Sequence, residues 1–268
     1  MVLNDAVLYF SLDDADLSGV TLTDLGSGSN NGTNNGATTG VSAVVAEGFS
    51  FDGTNDYVST SNWAPPASTS VCFWMKRGET VGTALDIIVG WESGNAYYKI
   101  GLQDHKITVG VRNTAGNHRW WNETTTITDT DWHYIVVTQV GVATPIIYID
   151  NVSTTVAIMF QSGSPVRPSS SLVFNIGRRP GCTEYFNGSM DETAIYNRII
   201  TGVSGEVATL YNSGSGFNPY ASVGGNTKQI NIGDSWKDID AIKINIGDSW
   251  KVVSSVKINI GDSWKTLF

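Results

Sequence analysis

Phe49-Ser50-Phe51-Asp52-Gly53-Thr54-Asn55-Asp56-Tyr57-Val58 is the stretch on which the fold turns. Ahead of Asp52, apolar and polar residues alternate with the period that returns side chains of an extended chain to one face. Asp52-Gly53 is a turn signal, because glycine accepts the positive φ that such turns need. Tyr57–Thr60 then opens a second run of strand-forming residues. The stretch therefore reads as strand, tight turn, strand.

The same grammar extends in both directions. Strand signals cover Ala6–Leu12, Gly48–Phe51, Ser70–Lys76, Ile87–Trp91, Tyr97–Leu102 and Lys106–Arg112. They continue through Arg119–Thr125, His133–Val140, Ile146–Asp150, Leu172–Ile176 and Gly188–Tyr196. All are short, rich in Val, Ile, Tyr, Phe and Trp, and bounded by Gly, Asn or Asp. So many short strands at close spacing predict an all-β, two-sheet antiparallel sandwich. Trp74 and Trp132 are expected to fill its two-sheet core. Asp150-Asn151 offers another positive-φ turn, since Asn tolerates the left-handed region. Only Ser204–Tyr211 has a helical pattern, with Val203, Val207 and Leu210 at helix spacing and Ser204 as cap. Gly26–Gly40, made of Gly, Ser, Asn and Thr, reads as a loop.

Of 268 residues, 41 % are hydrophobic and 15 % charged, which is a composition able to build a core. The net charge of −9 makes nucleic acid and anionic membrane poor partners and is compatible with a hard cation. The two cysteines, Cys72 and Cys182, are expected to be unpaired, partly buried thiols. No stretch approaches membrane-spanning length, and the first residues do not read as a secretion signal.

Alternation also assigns faces in Asn117-His118-Arg119-Trp120-Trp121-Asn122. At most one of Trp120 and Trp121 can face the core. The outward one, beside Arg119 and His118, is a candidate stacking platform for a sugar ring, or is covered by a neighbouring loop.

After Tyr220 a small-residue linker, 221–227, leads to a repeat. Ile230-Asn231-Ile232-Gly233-Asp234-Ser235-Trp236-Lys237 recurs at Ile244–Lys251 and Ile258–Lys265, a 14-residue period marked by Trp236, Trp250 and Trp264. Each unit reads as one β-hairpin, too small to cover its own apolar face. Residues 228–268 are therefore expected to be an attachment or oligomerisation module.

Several motifs stand in an order that resembles the laminin-G-like, concanavalin-A-like jelly-roll domains. They are Leu8–Asp13, Asp24–Thr33, the Phe49–Val58 stretch read as a hairpin, Val71–Lys76, Asp131–Thr138, Ile147–Asn151 and Phe186–Arg198 with Leu210-Tyr211. The resemblance covers residues 1–220 and implies a jelly-roll sandwich. It further implies a calcium ion held by loop oxygens of Asp24, Asn30 and Asp191, although Ser29 stands where that family commonly has Asn or Asp. The fold also hosts glycoside hydrolases, but their Glu-x-Asp-x-(x)-Glu string is missing, and adjacent Asp191 and Glu192 point to opposite faces if the strand is regular. His105, His118 and His133 have no metal-ligand spacing.

The C-terminal repeats resemble short repeats of bacteriophage tail and fibre proteins. Taken together, the expectation is a non-enzymatic virion surface protein: a phage tail, fibre or capsid-decoration component. Its sandwich would contact host-surface glycans through Trp120 or Trp121 with Arg119. Its partners would be other virion structural proteins and copies of itself, as a trimer. The rivals are a bacterial extracellular adhesin or carbohydrate-binding module, and a purely architectural virion protein.

Overall fold

The computed structural model describes residues 3–78, 84–180, 182 and 184–220, and beyond them the backbone of six short strands between 228 and 266. Two compact units result, Met1–Tyr220 and Ala221–Phe268.

In the first unit the strands begin with β1 (Leu8–Phe10), β2 (Leu17–Ser18), β3 (Thr21–Leu22), β4 (Gly32–Asn35), β5 (Thr38–Ser42) and β6 (Glu47–Asp52). Next come β7 (Tyr57–Thr60), β8 (Ser68–Arg77), β9 (Asp86–Ser93), β10 (Ala96–Gln103), β11 (Lys106–Arg112) and β12 (His118–Glu123). The series closes with β13 (Trp132–Val140), β14 (Ile146–Ile149), β15 (Val152–Ser153), β16 (Val156–Ser162), β17 (Val173–Ile176) and β18 (Asn187–Tyr196), then helix α1 (Glu206–Tyr211). Among the described residues one antiparallel sheet runs β15-β14-β13-β8-β18-β6-β5, with β1 also on β18. The other runs β16-β12-β11-β10-β9-β17-β7-β4-β3-β2.

Alternation builds the core between them. Phe49, Phe51, Val71, Phe73, Met75, Ile135 and Val137 of the first sheet share one buried cluster with Val89, Trp91, Tyr98, Ile100, Val109, Trp121 and Phe174 of the second. Burying each large side chain of this kind is worth about 2–3 kcal/mol. The first sheet has a second buried face. Tyr9, Cys72, Trp74, Tyr134, Val136 and Tyr196 pack there with Val207 and Leu210 of α1.

Four expectations need correction. The Phe49–Val58 stretch is not a hairpin: β6 and β7 belong to different sheets, so the chain arches across the core between them. The turn chemistry is as expected, with Gly53 at φ 75° and Asp52 Oδ1 accepting the Thr54 and Asn55 amides. However, four residues separate the strands, too many for a tight two-residue return. Trp74 fills the layer beneath α1, stacked 5.7 Å from Tyr211, and not the space between the sheets; Trp132 is half-buried at the edge of that same layer. Gly26–Gly40 is more than a loop, since it holds β4 and enters β5; Gly32 of β4 sits where a Cβ would strike Val58 at 2.8 Å, so a small residue is what lets the strand pass. Finally, α1 is shorter than its pattern: Val203 is exposed outside it, and Thr201 Oγ1, not Ser204, accepts the Glu206 amide at 2.9 Å while Glu206 accepts the Thr201 amide at 2.8 Å.

In the second unit three two-stranded antiparallel pairs follow one another: β19 (Lys228–Asn231) with β20 (Trp236–Ile239), β21 (Lys243–Ile246) with β22 (Ser249–Val252), and β23 (Lys257–Ile260) with β24 (Ser263–Thr266). Their registers repeat, Asn231 opposite Trp236, Asn245 opposite Trp250 and Asn259 opposite Trp264. The linker assigned to 221–227 lies outside the described residues.

Candidate functional site

One row of partnered positions crosses the outer face of the ten-stranded sheet. Asn175 of β17 lies opposite Gly90 of β9, Gly90 opposite Lys99 of β10, and Lys99 opposite Gly110 of β11. Gly110 then faces Trp120 of β12, and Trp120 faces Phe160 of β16. Five interstrand steps of about 4.8 Å make this row roughly 24 Å long.

The two glycines shape it. A Cβ on Gly110 would meet the Trp120 ring at 2.7 Å, so the indole lies flat over the strand because that residue has no side chain. A Cβ on Gly90 would press on the Lys99 stem at 3.2 Å. Between these positions Trp120 Nε1 donates to Tyr97 Oη at 2.8 Å, and the Lys99 ammonium sits 4.2 Å from the centre of the Tyr97 ring. Phe160 stands 6.1 Å from Trp120 and 44 % exposed at the far end of the row.

A partly buried ionic group lies on the same face. Lys99 pairs with Glu92 of β9. Arg179, just beyond β17, donates from Nε to Glu92 Oε2 at 2.9 Å, from Nη2 to Glu92 Oε1 at 3.0 Å, and from Nη1 to Glu184 at 2.8 Å. Burial pulls the Lys99 ammonium down to about 8 against the opposing pull of Glu92. The carboxylates of Glu92 and Glu184 hold the Arg179 guanidinium above its ordinary range. Glu92 and Arg179 also line a cleft of about 360 Å³ with Val173 and Pro180.

Trp121 is in the core and fully buried, so it is no platform. Trp120 faces the other way, covered to 7 % exposure by Tyr97 and Phe160. Arg119 shares the strand parity of Trp121, lies 5.5 Å from that ring, and donates to Gln161 Oε1 at 2.6 Å and the Val142 carbonyl at 3.0 Å. The expected trio is thus split between two faces. Lys99, Glu92, Arg179 and Glu184 were missed, although a lysine between Tyr98 and Ile100 and glycines inside two strands were visible signals.

Two of the expected calcium ligands, Asp24 and Asp191, accept backbone amides of different segments. Asp24 accepts the amides of Tyr9, Gly26 and Asn30 at 2.9, 2.8 and 2.7 Å, a clamp on its own loop. Asp191 accepts those of Val44 and Val45 at 3.1 and 2.8 Å, and burial pushes its carboxyl up to about 8. Among the described residues no three His, Cys, Asp or Glu side chains converge in a way that could hold a metal. A bulge in β18, with Glu192 at φ 51°, breaks the alternation assumed for Asp191 and Glu192, and both are buried.

This two-sheet architecture has recognisable kin. Residues 52–203 match the laminin-G-type family model described as the concanavalin A-like lectin/glucanases superfamily, and the chain belongs to that family. A comparison with curated proteins found no match. Among solved structures, the binding domain of Paraclostridial Mosquitocidal Protein 1 is similar at 17 % identity and TM-score 0.59, over 80 % of this chain and 53 % of that one. Domain 4 of AbnA, an extracellular arabinanase from Geobacillus stearothermophilus solved in complex with arabinotriose, is similar at 18 % identity and TM-score 0.58, over 80 % of this chain and 98 % of that one. The receptor binding domain of botulinum neurotoxin mosaic serotype C/D is similar at 12 % identity and TM-score 0.55, over 75 % and 49 %. The chain thus spans about half the length of the two toxin domains, and at these identities the likeness is one of fold.

Proposed function

We propose that this chain is a non-catalytic, lectin-like surface protein whose sandwich binds a glycan along the outer face of the ten-stranded sheet. The observation that carries the reading is the open end of the row from Asn175 to Phe160, where the Phe160 ring, 44 % exposed, stands 5.3 Å from the half-buried His118 on the outer face. Glu92 and Glu184 share Arg179, an arrangement that fixes both carboxylates and does not suit them to proton transfer. We place the protein on a virion, as a phage tail, fibre or capsid-decoration component that touches host-surface glycans. The three hairpins would attach it to other virion proteins or bring copies together, as a trimer in this reading. A bacterial extracellular carbohydrate-binding module is the second reading, favoured by the overlap with nearly the whole of domain 4 of AbnA. Capsid and tail genes flanking this gene would support the first; a secreted, multi-domain precursor would support the second.

The test is a glycan array with the full chain and with Phe160→Ala. Loss of the exposed ring is expected to weaken binding by about 1–2 kcal/mol, roughly five- to thirtyfold, with an unchanged circular-dichroism spectrum. Binding that is indifferent to Phe160 moves the site off this face. Turnover of any bound oligosaccharide overturns the non-catalytic assignment.

A further inference from the structure

Two residues along each strand from the first row, a second row crosses the same outer face. Glu92 of β9 lies opposite Tyr97 of β10, Tyr97 opposite Arg112 of β11, Arg112 opposite His118 of β12, and His118 opposite Ser162 of β16. Lys99 and Arg179 are matched by Glu92 and Glu184, but Arg112 has no carboxylate partner among the described residues. Arg112 is half-buried and donates from Nε to the Gly116 carbonyl at 3.4 Å. The same carbonyl, in a turn where Gly116 has φ 88°, accepts the Nδ1–H of the half-buried His118 at 3.1 Å. The turn thus pins the base of the guanidinium and leaves its forked end, Nη1 and Nη2, without a partner among the described residues. A guanidinium fork meets a planar carboxylate with two parallel hydrogen bonds, each about twice as strong as a neutral one. On the other side of His118 stands Phe160, 5.3 Å from that ring and 44 % exposed. Two interstrand steps of about 4.8 Å separate β11 from β16, a span of about 10 Å that a disaccharide covers.

From this we propose, on the basis of the glycan-binding reading above, that the face takes an acidic oligosaccharide: the carboxylate of a uronic or sialic acid pairs with the Nη1–Nη2 fork of Arg112, and a neighbouring sugar ring lies against Phe160. His118 stands between the two contacts and presents Nε2 to a sugar hydroxyl. The net charge of −9 opposes such a ligand only at long range, because screening sets in beyond about 8 Å at physiological salt while the fork acts at contact. The same charge selects against polyanions. One unmatched cation accommodates one anionic group, and a densely sulfated chain brings many.

The experiment titrates the full chain with two matched pairs of probes: trigalacturonate against its methyl ester, and sialyllactose against lactose. At least one acid is expected to bind about tenfold more tightly than its neutral counterpart. Arg112→Gln is expected to erase that preference. Ser162→Glu, at an exposed position of the same row, keeps Arg112 and the core intact; its added negative charge about 10 Å away is expected to weaken the acid about threefold and leave the neutral probe as before. Equal binding of acid and neutral counterpart in both pairs overturns the inference while leaving a lectin. A preference that survives both substitutions places the carboxylate away from Arg112 and overturns it too. A heparin tetrasaccharide that binds more tightly than either acid, losing about tenfold in affinity between about 0.05 and 0.5 M NaCl, overturns the single-carboxylate reading. Silence toward every probe and on the glycan array removes the glycan-binding reading itself, and this inference with it.

Discussion

At the scale of single residues, position in the pleat decides what a side chain can do. Trp120 and Trp121 are chemically identical neighbours, yet one lies on the outer face of its sheet, covered by Tyr97 and Phe160, and the other is sealed in the core between the sheets. His133 shows the same control of chemistry by place. Its ring bridges Asp150 Oδ2 at 2.6 Å and Asp129 Oδ1 at 2.8 Å, and those hydrogen bonds, Asp150 first, raise it to about 9. A folded-state value above the ordinary 6.5 means that the native protein holds the proton more tightly than the unfolded chain. The bridge therefore stabilises fully below pH about 6.5 and loses its effect as pH rises through about 9. His133→Gln is expected to cost about 1–3 kcal/mol at pH 6, and the gap to the parent should close by pH 9.5 or so in urea unfolding. A gap independent of pH would mean that packing, not charge, is what the histidine provides.

At the scale of elements, strand pairs are joined by side chains as well as by their ladders. Glu123 ends β12 and accepts the Ile107 amide of β11 at 2.9 Å. Burial pushes its carboxyl up to about 7, against the opposing effect of the Ile107 hydrogen bond. For an acid raised in the folded state, the native protein binds more protons than the unfolded one, so stability falls as pH rises from about 4.5 through about 7. Glu123→Gln keeps the acceptor and removes the titration. Across that window its unfolding free energy, measured in urea, is expected to fall less than the parent's, by up to about 1.4 kcal/mol per pH unit. Parallel curves for the two proteins would count against a neutral Glu123. Other elements carry their own devices: the β18 bulge lets Asp191 reach the Val44 and Val45 amides, and the paired contacts of Thr201 and Glu206 start a helix of only six residues.

At the scale of the whole molecule, Met1–Tyr220 has a complete core of its own, with α1 and the N-terminal segment closing the outer face of one sheet. Arg198 ties that closure together, bonding Asp5 at 2.8 Å and Glu206 at 2.6 Å. Each C-terminal pair of strands, by contrast, is a two-stranded ribbon, a form marginal by itself in water. Deleting Lys228–Phe268 is expected to shift the melting temperature of the sandwich by no more than about 3 °C and to leave it monomeric in sedimentation. A truncated protein that still assembles would transfer the assembly role to the sandwich. Among the described residues no helix is long and apolar enough to cross a membrane.

The sequence by itself determined the β class, the positions of twelve of the strands to within a few residues, and helix α1, because hydrophobic spacing and turn residues are local signals. It did not reveal β2, β3, β4, β5, β15 or β16. β4 and β5 are built mostly from Gly, Thr, Asn and Ser, and β16 is an edge strand whose Ile158, Met159 and Phe160 break the alternation. Only the tertiary structure decided that Asp52-Gly53 sends the chain to the opposite sheet, that Trp74 lies under α1, and that Arg179 reaches Glu92 across 87 positions of sequence. Those outcomes depend on which strands become neighbours. That choice is settled by burying two sheets against each other and pairing the polar groups that the burial encloses, and no local window of sequence contains it.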